Sequence, residues 1–98
     1  MSQQPTDEEI VRRTLADKEA FALLIERYEA KLARYLERLG IAVPEDREDI
    51  LQNTFVKAYR NLNSFDTELS FSSWVYRIAQ NEAMSFFRAR RARPNDLG

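Results

Sequence analysis

Apolar residues recur at steps of three and four along most of the chain, and nowhere alternate with polar ones over a strand-length run. That pattern predicts helices and no strands. The strongest run is Phe21, Leu24, Ile25, Tyr28, Leu32, Tyr35, Leu36 and Leu39, which predicts a long helix over 18–39, capped by Asp17 and stopped by a left-handed Gly40. Upstream, T-D-E-E sets Thr6 three residues before Glu9, the reciprocal spacing of a capping box, and Ile10, Val11 and Leu15 give that first helix a short apolar edge. Residues 1–5 read as a disordered lead-in. Pro44 opens a third helix from an allowed first-turn position, with Ile50, Leu51, Phe55, Ala58, Tyr59 and Leu62 as its apolar face. Over 61–69 the segment N-L-N-S-F-D-T-E-L breaks the period and leaves Phe65 in a polar loop. Ser70 then caps a final helix over 70–93 whose stripe is Phe71, Trp74, Val75, Ile78 and Ala79, and Pro94 terminates it. Four helices with short connections predict an all-α bundle.

The final helix carries more than a packing stripe. Tyr76, Arg77, Gln80 and Asn81 lie off the stripe, and between Phe71 and Arg93 five arginines (Arg77, Arg88, Arg90, Arg91, Arg93) face a single acid, Glu82. Such a surface seeks phosphate, its aromatics can stack on unpaired bases, and its amides can bond base edges, a combination suited to single-stranded nucleic acid. On composition alone, an ordinary amphipathic helix with a solvated basic end accounts for it equally well. The third helix exposes Glu48, Asp49, Gln52, Asn53, Val56, Lys57 and Arg60, a face that is acidic at its start and basic at its end, as the helix dipole favours.

Charge and composition sharpen this picture. The net charge of the 98 residues is only -1, yet residues 1–70 hold ten Lys/Arg against fourteen Asp/Glu, while residues 71–98 hold five against two. The chain is polarised, so its two ends are expected to meet different partners. It has no cysteine and no histidine, which removes disulfides, thiolate nucleophiles, imidazole bases and the usual zinc and haem ligands. No metal or other cofactor is expected. A polar N-terminus and the lack of an 18-residue apolar run argue against a signal peptide or membrane span and point to a cytoplasmic chain.

Three stretches carry a family resemblance: D-I-L-Q-N-T-F-V-K-A-Y-R-N-L-N-S-F-D from Asp49, F-S-S-W-V-Y-R-I-A-Q-N from Phe71 with the terminal R-A-R-R-A-R, and D-K-E-A-F-A-L-L-I-E-R-Y from Asp17. Together they resemble the second domain of bacterial RNA polymerase sigma factors, in the extracytoplasmic-function group of the sigma-70 family. The resemblance covers nearly the whole chain. It implies a sigma domain over 6–93, with 94–98 beginning a linker toward a helix-turn-helix domain that this chain lacks.

The resemblance also implies roles. Glu48, Asp49, Gln52, Asn53, Val56 and Arg60 match the surface that docks on the clamp helices of the polymerase largest subunit. The loop over 63–69 matches a specificity loop that, with the start of the last helix, captures a flipped base of the minus-ten promoter element on the non-template single strand. Phe65, Tyr76, Arg77, Gln80 and Asn81 match that DNA-binding surface, with Lys57 and Tyr59 approaching from the third helix, and stacking is expected from Phe65 or Tyr76. Arg88, Arg90, Arg91 and Arg93 would hold phosphates. Ser85 stands where the family often has an aspartate, which puts a carboxylate tether to Arg88 in doubt. An anti-sigma factor is implied as a further partner, and no enzymatic activity. Two other classes fit less well: a helical interaction module that mimics a sigma domain without binding DNA, and a nuclease built on Glu48, Asp49 and Asp66, which would lack any histidine or glycine-rich phosphate loop.

Overall fold

Residues 4–66 and 68–92 are described by a computed structural model, in which the helices are α1 (Asp7–Ala16), α2 (Phe21–Leu39), α3 (Pro44–Arg60) and α4 (Phe71–Ala92). No strand occurs among the described residues, and the all-α bundle expected from the periodicity is the architecture found.

Local chemistry sets the helix ends. The Glu9 amide donates to Thr6 Oγ1 at 3.1 Å and the Thr6 amide donates to Glu9 Oε1 at 2.9 Å, closing the capping box. Asp17 does cap, accepting from the Glu19 amide at 3.1 Å, but it opens a 3-10 turn, Lys18–Ala20, so α2 starts later than the periodicity suggests. Gly40, at φ 112°, ends α2. Its amide donates to the Glu37 carbonyl and the Ile41 amide to the Leu36 carbonyl, both at 3.0 Å, the paired bonds of a Schellman stop. Pro44 occupies the first turn of α3.

The core lies between one face of each helix. From α2 come Phe21, Leu24, Tyr28, Leu32 and Leu36, and from α4 come Phe71, Val75, Ala79 and Ala83, one turn apart. Helix α3 contributes Ile50, Thr54, Phe55 and Ala58. Tyr59, expected on this face, is instead exposed, and Thr54 takes the inward position because its hydroxyl donates to the Ile50 carbonyl at 2.7 Å. Thr14 is buried in the same way through the Ile10 carbonyl. A buried hydroxyl costs little once it has such a partner.

Between α3 and α4, a 3-10 turn (Leu62–Ser64) interrupts the expected loop. Leu62 and Phe65 anchor it, at 3% and 6% exposure. This corrects the expectation of a loop that leaves Phe65 in polar surroundings: the ring is driven inward by the area it removes from water, a gain of about 1.5–3 kcal/mol for a side chain of this size.

Helix α1 closes the bundle over α2 and the start of α4. Asp7 accepts from Arg27 at 2.8 Å and from the Tyr28 hydroxyl. Burial, reinforced by that bond, pushes the Tyr28 hydroxyl up to about 12. Arg27 also donates to the Pro5 carbonyl at 2.6 Å and to Gln4 at 3.4 Å, tying down the described part of the expected lead-in. Across 63 residues of sequence, the Phe71 amide at the head of α4 donates to Glu8 Oε2 at 2.9 Å. Residues 94–98, read as the start of a linker, lie outside the described residues, as does the helix stop at Pro94. Among the described residues no helix is long and apolar enough to cross a membrane.

Candidate functional site

Because α4 turns through about 100° per residue, Tyr76, Gln80, Arg77 and Asn81 spread over roughly 140° of its circumference, in that order. They therefore cannot all line one cavity. Asn81 stands at the edge that faces α3, where it borders a cavity of about 310 Å³ together with Lys57, Asn61, Ser64, Trp74, Ile78 and Glu82. Three separate segments build this cavity: the last turns of α3, the 3-10 turn after it, and the stripe of α4 on which Trp74, Ile78 and Glu82 follow at intervals of four.

Packing beneath the cavity fixes its wall. Trp74 is half-buried, with its ring 4.9 Å from that of Phe65 and 5.7 Å from that of Phe71. Phe65 and Phe71 meet edge-on at 5.7 Å. Phe65 thus presents no free face for stacking on a base, contrary to the expectation for it; it is the support behind Trp74. Tyr76 lies on the opposite flank, half-buried and edge-on to Tyr35 at 5.0 Å and Tyr28 at 6.4 Å. It belongs to a tyrosine cluster with α2 and is not part of the cavity wall.

Arg77 and Gln80 are exposed between these flanks. Lys57 Nζ lies 2.5 Å from Glu82 Oε2, an ion pair that crosses from α3 to α4 along the cavity rim. Farther down α4, Arg88 donates to the Ser85 hydroxyl at 3.1 Å, so the residue that departs from the family's aspartate still tethers this arginine, as a neutral acceptor. Arg90 sits 3.8 Å from Asp46 and 5.5 Å from the centre of the Phe86 ring, which offsets part of its charge. Arg91 is exposed, and Arg93 lies outside the described residues.

The α3 surface stands apart from this cavity. Glu48, Asp49, Gln52, Asn53, Val56 and Arg60 are all exposed. Gln52 and Val56 border a nearly apolar groove of about 340 Å³ walled by Phe21, Ile25, Phe55 and Tyr59. A second depression, of about 400 Å³, lies beside Glu48 between α2 and the start of α3. The periodicity of α3 marks the polar residues of this surface but hides the groove, because it places Tyr59 in the core. The pattern along α4 likewise hides Trp74, Ile78 and Glu82 as cavity residues, although their spacing of four places them on one stripe. Asn61 and Ser64 left no such trace. Among the described residues no group of three or more His, Cys, Asp or Glu is arranged to hold a metal ion.

Comparison with known proteins bears on the same segments. Residues 24–93 match the Sigma-70 region 2 family. The chain is 42% identical over 95 residues to the ECF RNA polymerase sigma-E factor of Haemophilus influenzae, covering 96% of this chain and 49% of that protein. It therefore spans about half the length of the curated relatives it matches. Among solved structures, an engineered region 2 of sigmaE in complex with GTAAAA superposes with a TM-score of 0.85 at 41% identity, covering 98% of this chain and 100% of that one. CnrH, solved in complex with the cytosolic domain of CnrY, superposes with a TM-score of 0.76 at 30% identity over 84% of this chain and 53% of its own.

Proposed function

This chain belongs to the sigma-70 region 2 family, and from that premise we propose that it is the promoter-recognition domain of an extracytoplasmic-function sigma factor. In this role it docks on core RNA polymerase through α3 and captures the non-template strand of the minus-ten element with α4 and the turn before it. The observation that carries the reading is the cavity of about 310 Å³ beside Asn81, walled by the Trp74 ring and rimmed by Lys57. Its dimensions and its one aromatic wall suit a single unstacked base, and Asn81 offers an amide to a base edge. Arg77 and Gln80 track the strand beside it, and Arg88 and Arg91, with a weakened contribution from Arg90, hold phosphates and set register.

The work is binding, without covalent chemistry. A base stacked on an aromatic ring contributes about 1–3 kcal/mol, comparable to the cost of unstacking one step, so base capture tips strand opening only while polymerase holds the surrounding DNA. The acidic start of α3, with Glu48 and Asp49, steers that docking toward a basic partner, and Gln52, Asn53, Val56 and Arg60 make the contacts with the clamp helices. An anti-sigma factor that covers this face would compete with polymerase. Acting on chromosomal promoters, the domain works in the cytoplasm.

The test is fluorescence anisotropy with a labelled single strand of the minus-ten segment and with its complement, each at two salt concentrations. The non-template strand is expected to bind more tightly than its complement, affinity should fall with salt for both, and Asn81→Ala should erase the difference between strands. Asp49→Ala or Gln52→Ala should leave that preference intact and weaken capture of core polymerase in a pull-down. Equal binding of the wild-type chain to both strands would overturn the reading.

A further inference from the structure

Glu82 is the one acid in α4, against four arginines, and a carboxylate on a helix that faces a polyanion works against binding. It is not on the solvent face. Its side chain is only 12% exposed and ends the stripe begun by Trp74 and Ile78 in the cavity wall. Lys57 holds Oε2 from the facing helix at 2.5 Å. The ion pair engages Oε2, and the residue still borders the cavity. Asn81 can turn either a donor or an acceptor toward a base, but an ionised carboxylate can only accept. Glu82 is therefore the lining group that can only accept.

Resting on the reading of this cavity as a base-capture site, we propose that Glu82 selects the captured base, admitting one that carries an exocyclic amino group and turning thymine away. Adenine, cytosine and guanine each bring an amino group to the Watson–Crick edge, which is open in a single strand. Thymine brings one imide N–H between two carbonyl oxygens, and whichever carbonyl lies against the carboxylate opposes it, acceptor facing acceptor. Lys57 offsets the carboxylate's repulsion of the neighbouring phosphates, whichever base is captured.

The experiment measures anisotropy of the whole chain with single-stranded minus-ten oligonucleotides in which each position is varied in turn through all four bases. Thymine should be the weakest base at one position. Glu82→Gln, whose amide can donate to a carbonyl, should remove that penalty, a change of roughly fivefold, the low end of what one good base contact supplies. Glu82→Thr removes the carboxylate with a smaller side chain and should do the same, so a folding defect in one variant does not decide the matter. Lys57→Met breaks the ion pair but keeps the carboxylate, and should keep the penalty. A thymine penalty that survives both Glu82 substitutions overturns the assignment while leaving the cavity as a base site. Loss of the penalty in Lys57→Met as well assigns the pair to holding the helices together and also overturns it. A wild-type chain indifferent to base at every position would instead refute base capture itself.

Discussion

Removing the carboxylate of Glu8 should loosen a helix that begins 63 residues away, since Glu8 Oε2 accepts the Phe71 amide at 2.9 Å. Phe71 is fully buried, and the Ser70 hydroxyl satisfies a different amide, that of Ser73, at 3.2 Å. Glu8→Ala therefore leaves the Phe71 amide at the first turn of α4 with no side-chain acceptor. A hydrogen bond to a charged group contributes about 1.5–3 kcal/mol, to which a negative charge at a helix N-terminus adds about 0.3–1 kcal/mol at a partly exposed site. A loss of about 2 kcal/mol is expected. For a domain of this size that corresponds to a fall in Tm of roughly 8–16 °C. Glu8→Gln retains a carbonyl acceptor and should lose about half as much. Urea titration should move the midpoint with little change in slope, and the Phe71 amide should exchange with solvent roughly 30-fold faster in Glu8→Ala, the equilibrium factor for that energy. Unchanged midpoint and unchanged Phe71 exchange would refute the coupling of α1 to the start of α4.

Gly40→Ala should cost about 1–2 kcal/mol from the backbone alone, because φ is 112° and the added Cβ would meet Phe87 only at 3.5 Å, an ordinary contact; a variant as stable as the parent in a thermal melt would contradict the left-handed stop. Tyr28 is pushed up to about 12 from its ordinary 10.0, by burial first and then by its bond to Asp7. The folded state thus holds this proton more tightly than the unfolded one. The resulting stability is complete below pH 10 and is lost as pH rises through 12. Alkaline melts should fall more steeply across that window for the wild type than for Tyr28→Phe, and parallel curves would contradict this.

Features written in short-range code were legible before any coordinates. The box joining Thr6 and Glu9, the Gly40 stop and the α2 stripe each depend on residues within one or two turns, and each is found as expected. What depended on distant partners was not. Phe65 stands alone among polar neighbours, so no period reveals that Phe71 and Trp74 will enclose it. Thr54 could replace Tyr59 inside α3 because its own helix supplied an acceptor at Ile50, a possibility that hydropathy patterns ignore. The cavity draws Lys57, Asn61 and Ser64, and Trp74 through Glu82, from three elements, and only the packing of α3 against α4 brings them together. The resemblance supplied Asn81 and Lys57, which do share the cavity rim; it also grouped Tyr76 with them, and helical geometry puts that ring on the far flank.

The most direct measurement uses the chain's single tryptophan, since Trp74 is itself the aromatic wall of the cavity. Its emission is to be recorded while the single-stranded non-template minus-ten oligonucleotide is titrated in, with anisotropy of the labelled strand followed in parallel. Saturable quenching that tracks binding, and that disappears in Asn81→Ala, is the expected result. Binding that saturates while Trp74 emission stays unchanged would mean that no base enters the cavity.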